Sequence, residues 1–352
     1  MRILVAFVTS SVLAPLMFMG SVETPGVPDD ALTDASCMAQ VPQEELPTER
    51  KNLKRLVANC KKCHADVHAE WSVTQHAKSW TDPVFQAEIR ELPDKGASCA
   101  RCHAPRSLWH KDMGEIPVGR KSDRDLGVNC VTCHMLGNVY FGPFDSQGHG
   151  GVEAEQAAFR ESKMCFSCHG QPEARKEHDQ MTSYLAGTAW TKDGKSCQSC
   201  HMSLVERKLV TEKSLKMKFL IGVQPVRMHD FRGARRGDIV AGCADVAVAF
   251  DGDKVVASVT TKTGHQLPCT THREVVLKVT QYGADGSELA SSVTSYSFPD
   301  GPSLPPGGPT TVEVRAAPGA RKARATLIQI LEKTEGRPDR IIQEINDAET
   351  TR

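Results

Sequence analysis

The chain has 352 residues, with 43 basic and 43 acidic side chains and a formal charge of zero. That balance offers no basic surface to nucleic acid or to an acidic membrane, so neither is expected as a partner. Apolar residues make up 39% and aromatics only 5%, a thin supply for the two ordinary-sized domains the length allows, so something besides side chains has to fill part of the interior.

Arg2 precedes an apolar run from Ile3 to Gly20, interrupted by Thr9, Ser10, Ser11 and Pro15. Residues 1–23 read as a secretory signal with a one-charge n-region. Met17, Phe18 and Met19 stand where a cleavage site favours small residues, so an uncleaved anchor is the alternative. Residues 24–50 carry Pro25, Pro28, Pro42 and Pro47 among acidic and small residues, the composition of a linker without its own core. Cys37 lacks the preceding apolar residue that a lipid-attachment site wants. A helix is predicted from about Thr48, with Leu53, Leu56 and Val57 on one face, running into Cys60.

From Cys60 to His201 one pattern occurs five times: Cys60-x-x-Cys63-His64, Cys99-x-x-Cys102-His103, Cys130-x-x-Cys133-His134, Cys165-x-x-Cys168-His169 and Cys197-x-x-Cys200-His201. Cys-x-x-Cys-His is the attachment pattern of c-type haem. Two thiols one helical turn apart reach the two vinyl groups on one porphyrin edge. The adjacent histidine then supplies the proximal iron ligand. The competing reading is zinc, which needs four ligands per ion from paired motifs, whereas here every cysteine pair carries its own histidine. Five covalently attached haems are therefore expected, and their large apolar rings account for the shortage of aromatic side chains. Haem of this kind is attached outside the cytoplasmic membrane, which agrees with the apparent export signal and places the protein in the periplasm or beyond.

After the first motif comes Trp71-Ser-Val-Thr-Gln-His76-Ala77; Gly127-Val128-Asn129 leads into Cys130, and Met135 follows His134. Gly142-Pro143 with His149 precedes the fourth motif, and His229-Asp230-Phe231-Arg232-Gly233 follows the fifth. Over roughly residues 55–235 this pattern resembles a group of multihaem cytochromes c that includes the tetrahaem electron acceptor of hydroxylamine oxidoreductase. The resemblance implies distal haem ligation by His76, His149 and His229.

Thirteen histidines are present. Beyond the five proximal ones stand His68, His76, His110, His149, His178, His229, His265 and His272. Iron favours a sixth imidazole where one can reach. His76, His149 and His229 rank first as second axial ligands and His265 next, followed by His110 and His178. His68 lies one helical turn from His64 and is awkwardly placed for another ring; His272 reads as structural. Met135 and Met202 directly follow proximal histidines and read as packing residues.

From about Gly242 the texture changes. Val246, Val248 and Phe250 alternate up to the turn signal Asp251-Gly252, and Val255, Ala257, Val259 and Thr261 form the face of a second strand. Val275, Leu277 and Val279 form another, with further strands predicted near 290–297, 311–317 and 323–331. The expected architecture is a mostly irregular and α multihaem domain over 51–235, with short helices, plus an all-β immunoglobulin-like sandwich over 240–335. A charged tail over 336–352 follows, in which Ile341, Ile342 and Ile345 suggest a short amphipathic helix. Cys243 and Cys269 could pair in an exported domain. Thr263-Gly264-His265-Gln266-Leu267-Pro268 resembles a Gly-His-x-x-Pro loop found where such β-domains pack on a multihaem core. That resemblance implies His265 as a haem ligand; the alternative is a turn histidine.

The leading functional expectation is an electron-transfer protein working between redox partners, either other cytochromes or a membrane quinol-linked donor. The alternatives are an oxidoreductase acting on a small nitrogen or sulfur compound at one five-coordinate haem, and an assembly role for the β-domain. Membrane association through the N-terminus and homo-oligomerisation stay open.

Overall fold

A computed structural model describes residues 52–144, 152–153, 157–170, 192–210, 222–270, 273–298, 301–331 and 341–352, all within one compact unit. The expectations for residues 1–51, and for His149, His178 and His272, lie outside these residues. Among the described residues no helix is long and apolar enough to cross a membrane.

The predicted first helix is α1 (Leu53–Cys63), which buries Leu53 and Val57 at the spacing of one helical face. His64 leaves the helical region at φ −110° and ψ 50°, ending α1 and starting α2 (Ala65–Ser72). α3 (Gln75–Lys78) and α4 (Pro83–Arg90) begin on side-chain caps. Thr74 Oγ1 accepts from Ala77 N at 3.2 Å, and Asp82 Oδ1 accepts from Val84 N at 3.0 Å; each such cap contributes about 1 kcal/mol.

The later motifs occupy short helices: α5 (Ala100–His103), α6 (Cys130–His134), α7 (Lys163–His169) and α8 (Cys197–His201). The residue before the second motif cysteine helps close the turn. Asn129 with Thr132, and Ser196 with Ser199, form reciprocal capping boxes at the starts of α6 and α8. Ser167 in α7 is buried and accepts from Gly114 N at 3.1 Å. Small strands intervene. β1 (Met135–Leu136), β2 (Val139–Phe141) and β3 (Val152–Glu153) make one sheet, while β4 (Leu204–Lys208) pairs antiparallel with β5 (Val223–Arg227).

The C-terminal part is antiparallel β, as the alternation predicts. β6 (Ala244–Asp251), β7 (Lys254–Thr261) and β10 (Pro309–Arg315) form a sheet in the order β10-β7-β6. β8 (Arg273–Tyr282), β9 (Glu288–Ser297), β11 (Lys322–Leu331) and β12 (Ile341–Thr351) form a second in the order β12-β11-β8-β9. The sheets are open, and they share a core of Val255, Ala257, Val259, Leu277, Ala325 and Leu327. Gly252, at φ +56°, makes the tight β6–β7 turn in the left-handed region that glycine enters without steric cost. Leu327→Ala is expected to cost about 2–5 kcal/mol of stability, read as a lower denaturation midpoint.

The tail departs from expectation. Residues 341–351 are the strand β12, paired along its length with β11, instead of a helix. Ile345 is buried in the shared core and Ile342 is exposed, so the isoleucines do not act as one helical face. Pairing to an otherwise open edge satisfies a row of backbone groups and overrides the local spacing. The sheet therefore extends past residue 335. Asn346 Nδ2 donates to the Ala244 carbonyl at 3.0 Å, joining β12 to β6. Gln329 Nε2 donates to the Ala234 carbonyl at 2.8 Å, tying the β part to the segment that follows the fifth motif.

Candidate haem sites

Four of the five proximal histidines share one arrangement. Nδ1 of His64 lies 3.0 Å from the Leu209 carbonyl, that of His103 2.9 Å from Ser79 O, and that of His134 3.0 Å from Phe141 O. Nδ1 of His201 bonds the Arg232 carbonyl. A histidine that donates through Nδ1 to a carbonyl presents Nε2 as its free lone pair in a fixed ring orientation, the arrangement a metal ligand needs. These carbonyls have no side-chain signature, and sequence reasoning missed all four.

Across three proximal rings stands a second imidazole. His76 faces His169 with ring centroids 6.1 Å apart, His229 faces His134 at 6.1 Å, and His265 faces His201 at 6.2 Å. A metal bound to two imidazole nitrogens at roughly 2 Å each, with about 1 Å more to each ring centre, separates centroids by about 6 Å. Three of the predicted distal histidines thus stand at a ligand-pair separation. His229 and His265 also hold Nδ1 against carbonyls, of Arg227 at 3.1 Å and Gln266 at 2.9 Å. His76 Nδ1 is buried with no hydrogen-bond partner. His110 sits in the turn Leu108–His110, and no facing pair with a proximal ring is seen for it among the described residues.

Loss of water around the ring pulls the pKa of His76 down to about 4, helped by His201. The same cause, with His134 second, pulls His229 down to about 4. Both imidazoles are therefore neutral at pH 7, the form that binds metal. Burial is the strongest influence on His265 and lowers it, but the charge and hydrogen bond of Cys269, with the Gln266 carbonyl and Cys197, together raise it to about 9. This imidazole therefore has to shed a proton at pH 7 before it can bind a metal. Cys269 packs on His265, whose charge and hydrogen bond hold its pKa down against the effect of burial.

The segments singled out in the sequence touch one another. Trp71 Nε1 donates to the Val128 carbonyl at 2.8 Å, and Val128 N donates to the His76 carbonyl at 2.8 Å. Gly127, at φ +52°, lies so close that an added Cβ would stand 2.6 Å from the Ala77 carbonyl and still closer to that of His76. Gly127→Ala is expected to push the His76 segment out of place, removing one low-spin haem signal and lowering the melting point; an unchanged spectrum would contradict this.

The segment from His229 to Arg232 serves three sites. His229 faces His134, Phe231 packs edge-on against His76 at 4.3 Å, and the Arg232 carbonyl holds His201. Phe231 adopts φ +41°, an uncommon conformation for a bulky side chain. At the second motif, Phe85 stacks on His103 with centroids 3.9 Å apart.

The motif thiols also mark neighbours. Cys60 contacts Cys130, Cys102 contacts Cys168, and Cys165 contacts Cys197. Cys133 stands close enough to Cys165 and Cys168 to act on both. The attachment sites thus lie in the order first, third, fourth, fifth, with the second beside the fourth. Among the described residues no three His, Cys, Asp or Glu side chains converge to hold a bare metal ion, as zinc would require. The donor set fits haem c: a thiol pair with its adjacent imidazole at each motif, the imidazole oriented by a carbonyl at four of the five.

Residues 59–135 match the family model described as cytochrome c554 and c-prime. The fold matches a penta-heme cytochrome c552 from Thermochromatium tepidum with TM-score 0.60 and 17% identity, over 83% of this chain and 97% of that one. The chain has a multihaem c-type cytochrome fold. An X-ray structure from the Northeast Structural Genomics Consortium matches 31% of this chain and 87% of its own at 8% identity, and its TM-score of 0.19 carries no argument. No curated relative matches the sequence.

Proposed function

We propose that the protein is an exported pentahaem cytochrome c that conducts electrons along closely packed, mostly bis-histidine haems between redox partner proteins. The observation that carries this reading is the set of three facing imidazole pairs, His76–His169, His134–His229 and His201–His265, at 6.1–6.2 Å. Haem c bound at these motifs supplies a one-electron iron couple. The chain's residues fix the imidazoles, exclude water around them and bring the attachment sites into contact. Two ring nitrogens per iron leave no open position for a substrate at the third, fourth and fifth motifs, which favours conduction over catalysis there. His149 and His110 are proposed for the remaining sites, on sequence grounds. The β part is read as an immunoglobulin-like sandwich that delivers His265, supported by the shared core of its two sheets. The Leu267–Leu304 bridge anchors the His265 loop to that core, with backbone hydrogen bonds of 3.0 and 2.8 Å.

A reductive titration tests the reading. Five electrons should be taken up per chain at low potentials, and the reduced protein should pass them to an oxidised cytochrome. Steady turnover of nitrite, hydroxylamine or sulfite would replace it with the enzyme reading.

A further inference from the structure

We propose that the Glu70–Arg207 ion pair positions His229 as the second axial ligand at the third motif and sets the reduction potential of that site. This rests on the bis-histidine reading above. Glu70 lies on α2 and Arg207 on β4, with side chains 15% and 17% exposed. The pair is bidentate: Arg207 Nη1 bonds Glu70 Oε1, and Nη2 donates to Oε2 at 3.0 Å. Glu70 Oε2 also accepts from the backbone N of His229 at 2.9 Å. The His229 ring is held from the other side through Nδ1 by the carbonyl of Arg227, the last residue of β5. Backbone and ring are therefore fixed independently.

The neighbouring residue on α2 works on the opposite side of the same site. Trp71 Nε1 grips the Val128 carbonyl, two residues before Cys130. One helix thus holds both the approach to the third attachment motif and the imidazole that faces its proximal histidine. A bidentate pair on a rigid helix and strand has a defined geometry. Its low exposure leaves either charge poorly screened if the other is removed. The pair is neutral as a whole, so each single neutralisation leaves a charge of known sign beside His229.

The experiment uses the full haem-loaded chain. His229→Ala should turn one low-spin signal high-spin and so identify the third haem in the EPR spectrum. Glu70→Gln leaves the Arg207 cation behind, which disfavours ferric iron, and should raise that haem's potential. Arg207→Gln leaves the carboxylate and should lower it, while Arg207→Lys, which keeps the charge, should stay near the parent value. Glu70→Ala, which also loses the acceptor for His229 N, should add a high-spin component at the same haem. Opposite shifts confined to this haem are the signature; a loss of packing alone would move both glutamine variants the same way. Shifts of equal sign, or none, would overturn the proposal while leaving the ligand reading intact. If His229→Ala left every low-spin signal in place, the ligand assignment would fall and the proposal with it.

Discussion

Serine at both Cys165 and Cys168 is expected to slow electron equilibration across the protein by orders of magnitude, whereas the same change at Cys99 and Cys102 should leave it nearly untouched. Each variant should bind four haems. The difference follows from which motif thiols are neighbours: Cys60 touches Cys130, Cys133 lies near the fourth-motif thiols, and Cys165 touches Cys197. The fourth site lies between the first and fifth, while the second touches the fourth as a branch through Cys102 and Cys168. Tunnelling rates fall exponentially with edge-to-edge distance, so a missing central ring opens a gap that a missing branch does not. A ruthenium photosensitiser on exposed Lys62, followed by flash reduction, reads the equilibration rate directly. Equal slowing in the two variants would contradict this order.

His265→Ala is expected to turn a different haem high-spin and able to bind carbon monoxide, with little change in the stability of the β part. His265 lies in the loop between β7 and β8 and faces His201 at 6.2 Å. The core beneath the loop is separate from it: Leu304 is fully buried, and the Leu267–Leu304 bridge does not involve the imidazole. His265→Met offers a second readout, since thioether ligation raises the potential relative to bis-imidazole. An unchanged low-spin spectrum in His265→Ala would make His265 a turn histidine and remove the β part from the ligand set.

Much of this was legible in the sequence because it depended on local patterns. The motifs landed on short helices, and the alternating runs from Val246 to Leu331 became strands close to their predicted bounds. His76, His229 and His265 stood out by their setting and do face proximal rings. What was missed depended on tertiary pairing. The three isoleucines of residues 341–345 carried a helical spacing, but the open edge of β11 captured them as a strand. The contact of Cys269 with the imidazole of His265 had no signal in the sequence, where cysteine count only left pairing with Cys243 open. The carbonyls of Leu209, Ser79, Phe141 and Arg232, which orient the proximal rings, belong to the backbone and leave no trace in residue identity. Glu70 and Arg207 are 137 residues apart and look like ordinary surface charges until the fold joins them at His229.

The measurement that bears most directly on the conducting row is low-temperature EPR of the oxidised, full-length protein, paired with its intact mass. The account predicts a mass increment of five covalent haems and low-spin signals at the third, fourth and fifth motifs, assigned through the His229, His76 and His265 variants. A smaller haem count, or high-spin iron at any of those three motifs in the parent protein, would contradict it.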